Sequence, residues 1–166
     1  MRLRKVSAEE KHIAMQIIDM AKLHLKNQGI DQWQDGYPDL ESIIADINAD
    51  RGYFIISEDA PIGYMCLDFE GEPVYAQLDG KWQGSGKYAA LHRLAISDKG
   101  RGKGYGKKAF ELAEEYCRSQ GINSIRVDTK NTNPKMRHVI TSNGYIYRGD
   151  VYYETSGERM AFEKVF

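Results

Sequence analysis

From Ser97 to Lys108 the chain reads Ser-Asp-Lys-Gly-Arg-Gly-Lys-Gly-Tyr-Gly-Lys-Lys, a pattern suited to holding an anion. Four glycines alternate with Arg101, Lys103 and Tyr105, so several backbone N–H groups can turn towards one point without interference from Cβ atoms. A helical pattern starts at Tyr105, and the first N–H groups of a helix lack intrahelical partners at its positive end. Phosphate fits such a place. A Walker-type loop is excluded because Lys108, not Ser or Thr, follows Gly106-Lys107, and Arg101 stands at the position of the first glycine. A dinucleotide fingerprint starting at Gly102 would need a third glycine where Lys107 stands. The competing structural explanation is a glycine-rich turn carrying solvated cations.

The elements that must position this segment can be read on either side of it. Tyr88 to Ile96 reads as a central strand leading in. Tyr105, Ala109, Leu112, Ala113 and Tyr116 form one helical face leading out, closed by Gly121. Upstream, Leu3 to Val6 is strand-like. Ser7 and Glu10 form a capping box for a helix whose stripe is Ile13, Ile17, Met20, Ala21, His24 and Leu25. His12 and His24 on that helix have no acidic partner at metal-ligand spacing. A loop with Trp33 and Tyr37 follows, and Asp39 caps a helix with Leu40, Ile43, Ile44 and Ile47 on one face, ended by Gly52. Tyr53 to Ile56 and Ile62 to Phe69 predict one hairpin. Pro73 to Leu78, Asp79-Gly80 and Trp82 suggest a second. Downstream come a strand from Ile125 to Thr129, a helix opened by Asn133-Pro134, and strands from Tyr145 to Tyr153 and Glu158 to Phe166.

The 166 residues, 42% apolar, predict one domain over 1–166, long enough to bury a core without staples. A net charge of −1 provides no global field for nucleic acid. Positive charge is instead concentrated at Lys99, Arg101, Lys103, Lys107 and Lys108, which suits one small anionic ligand. Cys66 and Cys117 match no ligand or redox spacing and are expected to be buried reduced thiols in a cytoplasmic protein. No apolar run approaches a membrane span, and Met1-Arg2-Leu3-Arg4 does not start a signal peptide, so no membrane partner is expected.

Arg101-x-x-Gly104-x-Gly106 follows the strand Leu91-His92-Arg93-Leu94-Ala95-Ile96 directly. In this, the sequence resembles the GNAT superfamily of acyl-CoA-dependent N-acetyltransferases, whose pyrophosphate signature is Arg or Gln, two residues, Gly, one residue, Gly or Ala. The resemblance continues through the strand at Ile125–Thr129, Asn133 opening a helix, and Asn143-Gly144-Tyr145. It implies an α+β fold with a mixed, mostly antiparallel sheet flanked by helices, in the order β-α-α-β-β-β-β-α-β-α-β-β. It also implies acetyl-CoA as cosubstrate, with no metal. By family precedent, Leu94 and Ile96 bond the pantetheine arm through their main chain. Arg101, Gly102, Lys103, Gly104, Tyr105, Gly106 and Lys107 surround the pyrophosphate, and Asn133 bonds the cofactor's amide portion. The connection between the first two helices lines the acceptor cleft in this family, so Trp33 and Tyr37 could wall the substrate or simply pin the loop to the core.

Acetyl transfer to an amine needs a neutral nucleophile. A lysine-like amine with pKa near 10.4 costs about 4.6 kcal/mol to neutralise at pH 7. His92, four residues before Ile96 and on its face by alternation, is the candidate base, with a hydrogen-bonded core histidine as the alternative. A histidine similarly positioned on this strand relays the proton in arylalkylamine acetyltransferases. By family precedent the N–H of Ile96 or its neighbour is the expected oxyanion donor. Asp128 is expected either to orient the amine or to pair with Arg93 or Arg126. Where many members carry an acid Tyr, this chain has Ile140, so the thiolate leaves unaided or Tyr145 or Tyr147 substitutes. The expected function is transfer of acetyl from acetyl-CoA to a primary amine of a small molecule, a small amine or an amino-acid-like acceptor, by direct attack in a ternary complex. The alternatives are a protein N-terminal or lysine acetyltransferase, a coenzyme A-binding module without catalysis, and nucleotide binding at the cradle. A homodimer is compatible with the sequence.

Overall fold

Capping residues set where the helices begin. Ser7 and Glu10 close a capping box, with Arg4 holding the Glu10 carboxylate at 2.9 Å. Asp39 accepts the Ser42 N–H at 2.8 Å, and Asn133 accepts that of Met136 at 3.1 Å. The computed structural model describes residues 1–166. Its elements are β1 (Arg2–Lys5), α1 (Lys11–Asn27), α2 (Leu40–Asn48), β2 (Gly52–Ser57), β3 (Ala60–Asp68), β4 (Asp79–Gly80), β5 (Ala89–Ile96), α3 (Tyr105–Ser119), β6 (Ser124–Thr129), α4 (Pro134–Ser142), β7 (Ile146–Tyr153) and β8 (Gly157–Val165).

The strands form one mixed sheet in the order β1-β2-β3-β5-β6-β8-β7-β4, and only β5 and β6 run parallel. Helix α3 makes the crossover between them. A cluster of 18 buried residues, Phe110 and Ile140 among them, fills the space between the sheet and α3 and α4. A cluster of nine, with Ile17, Ile18, Ile43 and Phe54, lies under α1 and α2 on the opposite face. No helix is long and apolar enough to cross a membrane.

Three local expectations need correction. The buried stripe of α1 is Ala14, Ile17 and Ile18, while Ile13 and Met20 are exposed at 41% and 37%, because the helix rolls to bring small Ala14 against the sheet. Helix α2 ends at Asn48, not at Gly52, which opens β2; the turn is made at Asp50 with φ 58°. No hairpin forms around Asp79-Gly80. Pro73–Gln77 is a 3₁₀ turn, and β4 pairs with β7.

Strand β5 is not regular. Tyr64 of β3 is opposite Ala95 and Cys66 is opposite His92, so Arg93 and Leu94 together oppose one residue of β3, and Arg93 takes φ 53°. This β-bulge switches the side-chain alternation part-way along the strand. His92 shares the α1–α2 face with its partner Cys66, whereas Leu94 and Ile96 pack against the α3–α4 cluster. The expectation that His92 shares a face with Leu94 and Ile96 is therefore overturned.

A buried carboxylate holds the bulge. Asp46, fully buried on α2, accepts Arg93 Nε at 2.7 Å and Nη2 at 2.6 Å, Arg51 Nε at 3.1 Å and the Tyr64 hydroxyl at 2.7 Å. Removing it leaves Arg93 charged and unpaired in the interior. Asp46→Ala should cost about 3–5 kcal/mol, read as a lower midpoint in urea unfolding, and Asp46→Asn, which keeps acceptor capacity, should cost less.

Candidate active site

Strands β5 and β6 pair over three positions only, Ala89, Ala90 and Leu91 against Ile125, Arg126 and Val127. Beyond the bulge they part. The Ser97 N–H bonds Ile62 O at 2.8 Å, which fixes the phase of the β3–β5 ladder. By that alternation the N–H and C=O of Leu94 and Ile96 face away from β3, into the gap beside β6. An extended ligand could pair with them as an added strand.

The gap opens into a cleft of about 600 Å³ between α1, β5, α3 and α4. Leu94, Ile96, Arg101, Gly102, Gly104, Tyr105, Gly106, Lys107 and Asn133 line it; the remaining predicted ligand of this group, Lys103, stands exposed outside its lining. Gly102 and Gly104 have φ 76° and 73°, so the loop turns where side chains are disfavoured, and a Cβ at either position would meet open space. Gly104 caps α3 without a side-chain bond, and the first intrahelical bond runs from Lys108 N–H to Gly104 O. The N–H groups of Tyr105, Gly106 and Lys107 are thus without intrahelical partners, at the positive end of a 15-residue helix. With Arg101, Lys107 and Lys135 around this point and Leu94, Met136 and Val139 further in, the cleft fits an anionic group at one end and an apolar arm at the other. Asn133 is occupied structurally. Its Oδ1 caps α4 and its Nδ2 bonds Gln32 Oε1 at 2.9 Å.

A second cleft, about 370 Å³, passes through the opening between β5 and β6, with Phe110 and Met136 on one side and His92 and Asp128 on the other. The two clefts share Gln32, Trp33, Leu94 and Met136, so they meet where the strands part. Trp33 and Tyr37 both line the second cleft; the Tyr37 hydroxyl also accepts Arg93 Nη1 at 2.5 Å, which anchors the loop. Trp33 packs against the α1–α2 cluster, so both aromatics hold the loop to the core while lining this cleft. Trp82 lies elsewhere, packed on Tyr75 with its Nε1 donating to Tyr75 O at 2.8 Å.

His92 is the imidazole of this cleft. Its Nε2 is buried without a hydrogen-bond partner, 3.5 Å from Glu72 Oε2. Burial lowers its pKa below the ordinary histidine value, although Asp128 and Glu72 pull the other way, so the ring is neutral at pH 7 and can accept a proton. Asp128 pairs with neither Arg93 nor Arg126. Its Oδ2 accepts the hydroxyls of Tyr75 at 2.8 Å and Tyr153 at 2.7 Å, while Arg93 is held by Asp46 and Arg126 by Glu163. Ile140 is fully buried. Tyr145 and Tyr147 line neither cleft: Tyr145 is buried against Phe110, and Tyr147 is exposed and bonds Asp150. Burial raises both thiols, Cys66 and Cys117, to about 12, so neither is a thiolate at neutral pH.

Several site residues carry no mark in the sequence. Glu72, Tyr75, Tyr153 and Gln32 come from the 3₁₀ turn and its approach, a strand end and a loop, and only the tertiary fold brings them together. Asp46 had left a signal: a carboxylate in line with Ile43 and Ile47 on an inward helical face.

Residues 17–145 match the model of the acetyltransferase (GNAT) family. The chain belongs to that family. A GNAT-family acetyltransferase from Streptococcus agalactiae is 30% identical, with TM-score 0.90 over 99% of this chain and 95% of that one. A GNAT-family acetyltransferase from Listeria monocytogenes is 19% identical, with TM-score 0.78 over 99% and 94%. The aminoglycoside acetyltransferase AAC(6')-Ib, solved with coenzyme A and kanamycin, is 18% identical, with TM-score 0.68 over 99% and 94%. No curated protein matches the sequence. This GNAT chain is an acetyltransferase with the mixed, mostly antiparallel sheet of its relatives.

The neutral His92 has a consequence for stability. Between its depressed folded pKa and the ordinary value of about 6.5, the unfolded chain binds more protons than the folded one. Its contribution is therefore complete above about 6.5 and lost as pH falls through the folded pKa. His92→Gln should remove this component, giving a flatter plot of urea stability against pH on the acid side of about 6.5.

Proposed function

We propose that residues 1–166 form one acetyltransferase domain that transfers acetyl from acetyl-CoA to the primary amine of a small molecule, by direct attack while both are bound. The observation that carries this reading is the meeting of two clefts where β5 and β6 part, with a neutral, buried imidazole on the wall of the second. A likeness of fold to an acetyltransferase holding coenzyme A and kanamycin supports both partners.

Bound acetyl-CoA supplies an activated acetyl group as a thioester. The Leu94 and Ile96 main chain aligns the pantetheine arm. Arg101, Lys107 and the free N–H groups of Tyr105, Gly106 and Lys107 hold the diphosphate, with Gly102 and Gly104 letting the backbone approach. Asn133 acts by fixing Gln32 and α4 at the junction. The Ile96 N–H donates to the carbonyl oxygen as negative charge grows there. His92 Nε2 takes the proton of the amine, and Asp128 and Glu72 draw the amine in as a cation. A thiol is acidic enough to leave without a dedicated acid, consistent with Ile140 in the core. Raised thiol pKa values at Cys66 and Cys117 disfavour an acyl-cysteine route. A second cleft of only about 370 Å³, roofed by Trp33 and Tyr37, favours a small acceptor over a protein chain.

Incubation with acetyl-CoA and a panel of small amines should release free thiol. Tight coenzyme A binding with no release from any acceptor would point instead to a non-catalytic binding module. His92→Ala should lower kcat roughly 10²–10⁴-fold with coenzyme A affinity unchanged, and unchanged turnover would remove His92 from the mechanism. Arg101→Glu combined with Gly104→Val should weaken coenzyme A roughly 100-fold or more in a calorimetric titration while the protein stays folded.

A further inference from the structure

Six charged side chains in this protein are buried: Asp46, Asp68, Glu114, Arg126, Arg159 and Glu163. Five have an opposite charge beside them. Asp46 holds Arg93, Asp68 holds Arg51, Glu114 holds Lys164, and Arg126 and Glu163 hold each other. Arg159 is the exception. It is 5% exposed, its Nε has no hydrogen-bond partner, and it takes part in none of the chain's ion pairs. Guanidinium is always charged, and a buried charge without a partner is among the most unfavourable features an interior can hold.

The position of Arg159 indicates what it awaits. Val151 opposite Arg159 and Ala161 two residues on belong to the small cluster with Tyr75 and Ala90, so Arg159 projects from the sheet face that carries His92 and Asp128. It lines the second cleft together with Thr155 and Ser156 of the β7–β8 turn. That cleft therefore holds the carboxylates of Glu72 and Asp128 with His92, and also a guanidinium with every ion-pairing position open. A simple amine would satisfy the carboxylates and leave Arg159 unpaired.

We propose that Arg159 binds an oxyanion on the acceptor, so that the natural acceptor is a small molecule with a primary amine at one end and a carboxylate or phosphate at the other. This deepens, and rests on, the assignment of the second cleft as the amine site. The planar fork of Arg159 meets two anionic oxygens at once, as guanidinium does elsewhere. The Thr155 and Ser156 hydroxyls are neutral donors at the same wall. Arg159 is a specificity determinant that touches substrate away from the transferred acetyl group.

Matched acceptors test this. Straight-chain ω-amino acids with one to five methylenes are compared with their carboxamides, and O-phosphoethanolamine with ethanolamine, at fixed acetyl-CoA. At least one anionic acceptor should exceed its neutral partner in kcat/KM by roughly 10- to 100-fold, and the preferred arm identifies carboxylate or phosphate. Arg159→Met should abolish that preference by raising KM for the anionic acceptor and leave the neutral one within about threefold. Arg159→Lys, which keeps the charge without the fork, should restore part of it and guards against a folding defect in the first variant. Equal kcat/KM for anionic and neutral partners across the panel would overturn the assignment of Arg159 while leaving the amine reading intact. Calorimetric titration of the N-acetylated ω-amino acids into the coenzyme A-loaded protein reads the same contact without turnover. Should no amine be acetylated, anion binding that is lost in Arg159→Met would still sustain the oxyanion site, and its absence would reject it.

Discussion

Arg93 occupies φ 53° in the middle of a strand, a backbone conformation that a side-chain-bearing residue adopts only when its surroundings compel it. The compulsion comes from Asp46, a buried carboxylate accepting four hydrogen bonds, two of them from the Arg93 guanidinium. Left-handed backbone costs about 1–2 kcal/mol, whereas a buried charge stripped of its partner costs about 3–5 kcal/mol, so the ion pair outweighs the strain. The same carboxylate holds Arg51, which continues to Asp68 at 2.5 Å, and Arg93 reaches the Tyr37 hydroxyl. One acidic side chain therefore ties α2, β3, β5 and the Trp33–Tyr37 loop together.

The geometry of both clefts follows from that constraint. The bulge lies directly after the last residues that β5 shares with β6, so the strands part there and the backbone of Leu94 and Ile96 faces open space. The switch in alternation also sends His92 to one face of the sheet and Leu94 and Ile96 to the other. A regular strand would have put all three on one face and left no junction between the two clefts. On the proposed reading, the base and the acetyl group approach the opening from opposite sides.

Polar groups in the second cleft are arranged with equal economy. Asp128 is held by two tyrosine hydroxyls and not by a cation, so its charge is fixed in place without being neutralised. His92 is kept neutral by burial, and Arg159 is buried but unpaired. Buried polar atoms without partners are few in native proteins, and two of the five here line this one cleft.

Much of the molecule was legible in the sequence because its signals are local. Asp39, Asn133 and the Ser7–Glu10 box act over three residues, and the glycine-rich turn acts through backbone conformations that only its own residues set. Those features gave the helix starts, the order of elements and the glycine-rich turn at the head of α3. The roll of α1, the bulge at Arg93 and the fate of Asp128 were decided by contacts between residues distant in the chain. Asp46 and Arg93 are 47 positions apart, and Tyr75 and Asp128 are 53 apart. Arg159 illustrates the limit well: with Ala161 and Glu163 it alternates along β8 like the solvent face of an edge strand. That face becomes interior only when the segment carrying Glu72 and Tyr75 folds over it, because alternation in a strand specifies two faces and what packs on them determines which meets water.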